Sequence, residues 1–309
     1  MSTTLDPDVA VATSTAPQLG QRISRLWTYR NLLLNLTKRD LRIRYKESFL
    51  GFLWTLLNPL MFLVIFYIVF VIIVPQGIPN FVIFFLSGLL PWTMFQNSMM
   101  MTTNSVVGGA PLLKRVAFPR EVLPLAVIGA NIFTFALQLV VLLAVLLALR
   151  YNFYSWYLLL TIPAFVVEVL LLVGFALIFS SLTVYLRDIV HFMELATLFW
   201  FWVTPVVYPV AQVYTRFSQH HLPFGLVLLN PMVVPILAFQ RAFYNAINPL
   251  GPVKKAGKVV GYQPVHILHN WSMLWYLKNL GILAIVGVIL VWIGFTVFGK
   301  AEGNFAEEL

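Results

Sequence analysis

Long apolar segments separated by short polar ones constrain this chain more than any other feature. A helix needs about 20 mostly apolar residues to cross a bilayer. Six segments approach or exceed that length, namely 50–74, 81–101, 123–149, 156–185, 192–208 and 271–298. Charged residues make up 10% of the chain, whereas a soluble domain carries about 25%. We therefore predict an all-α polytopic membrane protein with six transmembrane helices.

The same composition excludes several classes of protein. So few charges cannot cover a water-facing surface, which excludes an ordinary cytosolic enzyme. The net charge is +9, but in a chain this apolar the basic residues mark the cytoplasmic side of a membrane. We therefore expect no nucleic-acid partner. The absence of cysteine excludes disulfide frameworks, thiolate metal sites and cysteine nucleophiles.

The distribution of basic residues predicts the orientation of the spans. The N-terminal segment and the loop between the second and third spans (Lys114, Arg115, Arg120) are basic, whereas residues 75–80 carry no charge. Short cytoplasmic loops carry the excess of Lys and Arg. Both termini are therefore expected on the cytoplasmic side of the membrane.

The segment after the fifth span allows two topologies. Residues 224–243 are apolar but contain Pro231 and Pro235, and they are short for a span. A seventh span there would place the lysine cluster at 254–258 inside but the C terminus outside. Six spans with a re-entrant 224–243 agree better with the other charges. Such a broken segment requires protein cover or a watery cavity.

Residues 28–46 predict an amphipathic helix at the membrane surface. They follow a small, polar stretch at 1–20 that is expected to be a disordered tail. The apolar residues of the helix recur on one face, beside a basic face: Tyr29, Leu32, Leu33, Leu36. This pattern favours a helix in the headgroup layer, with a solvated basic helix as the alternative. Residues 21–309 are predicted to form one transmembrane domain.

The sequence motifs do not indicate catalysis. Gly294, Gly299 and Lys300 form G-x4-G-K, but Ala301 follows where a phosphate-binding loop needs Ser or Thr. The histidines at 220, 221, 266 and 269 lack accompanying carboxylates. We predict that the chain is not an enzyme and holds no cofactor or metal of its own.

Several residues inside the spans admit a functional and a structural interpretation. Glu168 lies midway along the fourth span and either faces a channel or bonds within the bundle. Asn131 and Gln138 are expected to hydrogen-bond between helices. The aromatic run 199–202 either stacks on sugar rings along a path or serves as interface belt and packing.

The loop at 112–121 interleaves charged and apolar residues and ends near a proline. A short amphipathic helix there could insert into a groove of a cytoplasmic partner and transmit force to the adjoining spans. A basic loop that only sets topology is the alternative.

Seven motifs, in order and over nearly the whole chain from about Arg22, resemble the polysaccharide-exporting permeases of the ABC-2 transporter family. They are 40–54 (DLRIRYKESFLGFLW), 57–59 (LNP), 88–92 (GLLPW), 118–124 (FPREVLP), 185–188 (YLRD), 204–209 (TPVVYP) and 305–309 (FAEEL). The family handles lipid-linked O-antigen, teichoic acid and related glycans. The tail at 1–20 and the long loop at 249–264 depart from its pattern.

The resemblance implies a homodimer paired with two separate ATPase subunits, which would hold the ATP and Mg²⁺. It implies a coupling segment at 112–121 and an external gate region at 209–270. It also implies that the N-terminal interface helix, predicted above at 28–46, lies at the cytoplasmic interface. The substrate would be an undecaprenyl-diphosphate-linked glycan among membrane lipids.

Three sets of site residues follow from this resemblance. The residues expected to contact the ATPase are Lys114, Arg115, Val116, Phe118, Pro119, Arg120 and Glu121. The lipid diphosphate would meet Lys38, Arg39, Arg42 and Arg44. The translocation path would be lined by Trp54, Asn58, Trp92, Phe95, Glu168, Phe199, Trp200, Trp202 and Tyr208.

Two other functions stay open from the sequence. A drug or small-lipid exporter would share the same topology. A membrane-embedded glycan-modifying enzyme would need acidic or histidine catalytic groups at the membrane face, and the sequence contains no such constellation.

Overall fold

The computed structural model describes residues 19–46, 51, 53–116, 118–255 and 258–308. The helices are α1 Leu19–Thr28, α2 Arg30–Tyr45, α3 Leu53–Tyr67, α4 Phe81–Thr103, α5 Ser105–Gly108, α6 Ala110–Leu113, α7 Val122–Ala148, α8 Thr161–Tyr185, α9 Ile189–Val203, α10 Val210–Gln219, α11 Gly225–Leu228, α12 Val233–Phe243, α13 Met273–Ala301 and α14 Phe305–Glu308. The strands are β1 Leu250–Lys255 and β2 Lys258–Pro264.

Among the described residues, four helical segments are long and apolar enough to cross a membrane. They are Leu53–Ile73 (α3 with a π-helical continuation), α7, Trp156–Tyr185 (a 3₁₀ turn followed by α8) and α13. The second predicted span is α4, which has 23 residues but carries Gln96, Asn97 and Ser98 in its second half. The fifth is α9, which has 15 residues. The chain is thus a multi-pass helical membrane protein, and membrane crossing by α4 and α9 stays a prediction.

α4 lies at the centre of the bundle, where it packs against α3, α7, α8, α9 and α12. Nearly all of its first 15 residues are buried, including Trp92 and Phe95. Pro91 lies inside the helix and lacks an N–H group. A membrane helix tolerates this where neighbouring helices cover the freed backbone.

α8 and α13 approach each other closely because glycines remove side chains from their interface. A Cβ added to Gly294 would lie 2.8 Å from the carbonyl oxygen of Gly174, and one added to Gly287 would lie 2.9 Å from the Cβ of Leu170. Small residues allow such close contact between membrane helices. The glycines therefore set the separation of the two helices.

The segment 28–46 is mostly helical, as α2 with α1 preceding it, and its position at the membrane interface stays a prediction. Residues 1–18 of the predicted tail lie outside the described residues, whereas Leu19 and Gly20 belong to α1. α2 packs on α7, where the Thr37 hydroxyl donates a hydrogen bond to the carbonyl of Ala126 at 3.2 Å. Gly129 makes room for Thr37, since an added Cβ would lie 2.9 Å from its Oγ1.

The all-α prediction is wrong for the long loop after the fifth predicted span, which contains two β-strands. β1 and β2 form an antiparallel hairpin in which Leu250 pairs with Pro264, and a bulge interrupts the register between Val253 and Lys254. Sequence reasoning missed it because glycine, proline and lysine are depleted in strands. The predicted re-entrant segment 224–243 contains α11 and α12, and α12 is buried along its whole length.

Candidate functional site

The predicted coupling segment divides into an outward and an inward part. Lys114, Arg115 and Val116 are exposed. Phe118, Pro119 and Arg120 are half-buried, and Glu121 is 3% exposed. Ala117 lies outside the described residues. Only the first part is thus fully accessible to a partner protein.

The inward part belongs to a cluster of four charged residues, which we call the charge cluster: Arg22, Arg120, Glu121 and Glu302. Nη1 of Arg22 lies 2.6 Å from Oε1 of Glu121 and 3.8 Å from Oε2 of Glu302. Arg120 donates from Nη1 to the carbonyl of Glu302 at 2.6 Å. The cluster therefore ties α1 and the residue that follows α13 to the coupling segment.

A cavity and an aromatic ring lie next to the charge cluster. A cavity of about 570 Å³ opens beside it, lined by Arg25, Tyr29 and Phe118 among others. The guanidinium of Arg120 also lies 5.5 Å from the ring centroid of Phe305 in α14, a favourable cation–π geometry.

The second glycine of the G-x4-G-K motif, Gly299, is explained by its contact with Arg22. A Cβ at this position would lie 2.5 Å from the Cζ of Arg22, so only glycine admits the guanidinium here. Gly294 is required by the contact with α8. The motif lies within the continuous helix α13 and its exit, which confirms the interpretation that it is not a phosphate-binding loop.

Burial raises the pKa of Glu302 above its ordinary value of 4.5, and the Glu121 carboxylate adds to the rise. Arg22 and Arg120 oppose it without cancelling it. A carboxyl whose pKa is raised by folding is more stable in its protonated form. Its stabilising contribution is present below pH 4.5 and is lost as the pH rises through the raised pKa.

We expect Glu302→Gln to raise the thermal midpoint of the solubilised protein near neutral pH, because it removes a carboxylate that is costly to ionise. The backbone carbonyl that accepts from Arg120 is retained. The gain should shrink as the pH falls toward 4.5, the ordinary glutamate value. Glu308→Gln, at an exposed position of α14, is the control and should leave the pH profile unchanged. A loss of stability at neutral pH in Glu302→Gln would show that the carboxylate is needed in its charged form.

The four cations predicted to meet the lipid diphosphate have different surroundings. Lys38 and Arg42 are exposed. Arg39 pairs with Asp40 at 2.9 Å. Nη1 of Arg44 donates to Oδ1 of Asn131 in α7 at 2.9 Å.

Arg39 and Arg44 line a cavity of about 370 Å³ between α2, α4, α5, α6 and α7. The sequence did not predict Asp40 as a neutralising neighbour inside it. Asn131 bonds between helices as predicted, and so does Gln138, whose Nε2 donates to the carbonyl of Thr55 at 2.9 Å.

The residues predicted to line a path separate into a buried and an exposed group. Trp92 and Phe95 pack against Trp200, with ring centroids 6.5 Å and 5.0 Å apart. The exposed group contains Trp54, Asn58, Phe199 and Trp202. Tyr208 is half-buried and donates to the carbonyl of Trp202 at 2.8 Å.

Asn230 holds the end of α9 against the segment before α12. Trp200 Nε1 donates to Asn230 Oδ1 at 2.6 Å, and Asn230 Nδ2 donates to Thr204 Oγ1 at 2.8 Å. Sequence reasoning missed this residue, although the Asn-Pro pair at 230–231 signals a turn. An open apolar groove of about 620 Å³ runs beside it, lined by Phe192, Leu195 and Phe199 among others.

Glu168 is fully buried in α8. Within the described part of the chain, neither of its carboxyl oxygens has a hydrogen-bond partner. The structure therefore places it in the interior of the bundle, away from the exposed surface of α9. Among the described residues there is no group of three or more His, Asp or Glu side chains that could hold a metal ion.

Comparison of the sequence with known proteins identifies the family of this chain. Residues 31–244 match the ABC-2 type transporter family. The O-antigen export system permease protein RfbA of Myxococcus xanthus is 30% identical over 288 residues, which cover 93% of this chain and 98% of that protein. The protein of the same name from Klebsiella pneumoniae is 30% identical over 285 residues, covering 90% of this chain and 95% of that protein. The resemblance drawn from the seven motifs is confirmed, and the chain belongs to the ABC-2 type transporter family of membrane proteins.

Proposed function

We propose that this chain is the permease subunit of an ATP-driven exporter that moves an O-antigen-type glycan, linked to undecaprenyl diphosphate, outward across the bacterial inner membrane. The single observation that carries the proposal is its 30% identity with two O-antigen export permeases over at least 90% of its length. We propose the membrane orientation that the basic loops predict, in which the charge cluster lies on the cytoplasmic side.

The coupling segment is proposed to contact an ATPase subunit through its outward part. Lys114, Arg115 and Val116 are accessible, whereas Arg120 and Glu121 are held by the charge cluster. A displacement of the segment would therefore pass to α1 through Glu121 and to α13 through Arg120. ATP and Mg²⁺ would be held by two copies of that partner subunit.

The cavity beside Arg39 and Arg44 is proposed to admit the lipid diphosphate. Its lining combines these two cations with apolar residues such as Met101 and Leu123, which suits a charged headgroup on a lipid chain. Lys38 and Arg42 would attract the headgroup from the membrane surface, where each cation contributes about 1 kcal/mol.

The translocation path is proposed to form between two copies of the chain, along the exposed face of α9. Phe199 is 70% exposed and Trp202 is 52% exposed, beside the apolar groove. A second copy would cover this aromatic surface and complete a channel wall. Trp92 would then support the wall from behind, because it is buried in the bundle and packs against Trp200, which borders the groove.

The proposal predicts the behaviour of a strain that lacks this chain. Lipid-linked glycan should accumulate inside the cell, and the intact chain should restore glycan at the surface. The double variant Lys38→Glu and Arg42→Glu should restore less than a tenth of it, because reversing two charges opposes headgroup binding by more than about 1.4 kcal/mol. The measurement is surface glycan by immunoblotting, at equal membrane levels of permease.

The matched control is Lys38→Arg with Arg42→Lys, which keeps both charges and should export normally. Full export by the charge-reversed variant would remove these two residues from the headgroup path. If deletion of the chain leaves surface glycan unchanged while export of a drug or a small lipid is lost, the alternative small-molecule exporter is correct.

A further inference from the structure

An open cavity with polar side chains in its lining lies at the end of the bundle remote from the charge cluster. We call it the α10 cavity. It has a volume of about 820 Å³ and is lined by α10, by Tyr208 and by His266. Contacts of α10 with the segment that precedes α13 fix its position, since the rings of Tyr214 and His269 are 4.5 Å apart and those of His269 and Trp271 are 4.8 Å apart.

α13 has 29 residues and is therefore about 44 Å long at 1.5 Å per residue. Its other end carries Glu302 and the charge cluster. The α10 cavity and the charge cluster thus lie at opposite ends of a helix long enough to cross the membrane.

One face of α10 supplies the polar lining. Gln212, Thr215, Arg216 and Gln219 recur at spacings of three, four and seven residues, so they lie on the same side of the helix. The first turn of α10 is fixed to the protein. Val210 and Ala211 are buried, and the Ala211 amide donates to the carbonyl of Ile267 at 3.4 Å.

The facing wall carries an oriented imidazole. Nδ1 of His266 lies 2.6 Å from Oδ1 of Asn248. Because an amide oxygen only accepts, Nδ1 carries the hydrogen. This hydrogen bond orients the ring of His266, which lines the cavity together with α10.

Most of these polar groups are available to a ligand. Among the described residues, no hydrogen bond uses the side chains of Gln212, Arg216 or Gln219. Thr215 donates its hydroxyl hydrogen to Ala211 at 2.9 Å, and its oxygen can still accept. Each glutamine amide presents a donor and an acceptor side by side, which matches two neighbouring hydroxyls of a sugar ring.

We propose that the α10 cavity is a saccharide subsite that holds the exported glycan as it leaves the membrane. The amides and His266 would bind ring hydroxyls, and the aromatic faces of Tyr208 and Phe217 would contact C–H faces of the sugars. The volume is in the range of ligand pockets, about 300–1,000 Å³, and accommodates a short oligosaccharide. This inference rests on the proposed function for its substrate and orientation.

The test uses the absence of cysteine from the chain. Gln212→Cys and Gln219→Cys each introduce a single thiol into the cavity, and Ser218→Cys places one at an exposed position of α10 outside the lining. Spheroplasts are labelled with a sulfonated, membrane-impermeant maleimide. Cells that export glycan are compared with cells in which glycan synthesis is blocked.

All three thiols should be labelled from outside. Labelling at positions 212 and 219 should be at least threefold slower in exporting cells, whereas labelling at 218 should not change. Surface glycan is measured for each variant, and labelling is scored only for variants that export glycan. If neither cysteine variant exports glycan, Gln212→Ala and Gln219→Ala replace them. The readout is then the amount of glycan retained on the purified complex.

Three outcomes would overturn the subsite. They are equal labelling rates in both kinds of cell, equal protection at position 218, and labelling only after the membrane is permeabilised. Normal export with equal labelling rates would refute the subsite and leave the proposed function intact. Surface glycan that does not depend on the chain would instead refute the proposed function.

Discussion

Replacing Arg22 with alanine should lower the free energy of unfolding by about 3 kcal/mol or more, because removing one partner of a buried ion pair leaves the other charge uncompensated. The side chain of Arg22 is 8% exposed and that of Glu121 is 4% exposed, so the Glu121 carboxylate would lose its main partner at a position that is largely shielded from water. The two carboxylates of the charge cluster would then repel each other. The measurement is the thermal midpoint of detergent-solubilised protein, which should fall by about 5 °C or more.

Arg25→Ala is the matched control, because Arg25 is an exposed arginine of the same helix. Its effect should stay within about 0.5 kcal/mol, as for most surface substitutions. If the two variants unfold at the same temperature, the charge cluster does not stabilise the coupling segment.

Further substitutions separate packing from charge in the charge cluster. Gly299→Ala should reproduce part of the Arg22→Ala loss, since the added Cβ displaces the guanidinium. Gly303→Ala should not, because nothing lies within 4 Å of a Cβ there. Adding Glu302→Gln to Arg22→Ala should recover some stability by removing one of the two repelling carboxylates. No recovery would locate the whole loss in the Arg22–Glu121 pair.

Gly294→Val should also have a large effect, because it separates α8 from α13. The nearest atom to a new Cβ is the backbone oxygen of Gly174 at 2.8 Å, with the Cβ of Leu177 at 3.1 Å. A backbone atom cannot rotate away as a flexible side chain would. Overpacking typically costs about 1–3 kcal/mol, and three branched heavy atoms at a backbone contact should reach the upper end of that range.

The measurement for Gly294→Val is the fraction of protein that elutes as a monodisperse peak from detergent, together with its thermal midpoint. Gly281→Val is the control in the same helix, since no atom lies within 4 Å of a Cβ at that position. It should behave like the unmodified protein or slightly better, because valine favours helix more than glycine does. Equal loss in both variants would indicate a general intolerance of α13 to valine.

Hydropathy and charge predicted the parts of the structure that depend on local sequence. The apolar runs gave four membrane-length helices, and the apolar spacing at Tyr29–Leu36 indicated the amphipathic helix that became α2. Asn131 and Gln138 could be predicted as interhelical donors or acceptors because a polar side chain inside a span needs a partner. Their partners, Arg44 and the carbonyl of Thr55, could not.

The charge cluster escaped prediction because its members are far apart in the sequence. Arg22 and Glu121 are separated by 99 residues, and Arg120 and Glu302 by 182. No local pattern relates them, and Arg120 and Glu121 were therefore assigned to the partner interface alone. The burial of Trp92 and Phe95 was missed for a similar reason, since hydropathy does not distinguish a lipid-facing position from an interior one.

The charge cluster also affects the order in which the protein can mature on the ribosome. Glu302 is synthesised 182 residues after Arg120, which corresponds to about 10–35 s at 5–20 residues per second. During that interval Arg120 lacks the carbonyl that later holds it, and α7, α8 and α13 have yet to insert and dock. The coupling segment is therefore firmly anchored only after Glu302 has been synthesised and α13 has docked, and the proposed contact with an ATPase would meet an unanchored segment before then.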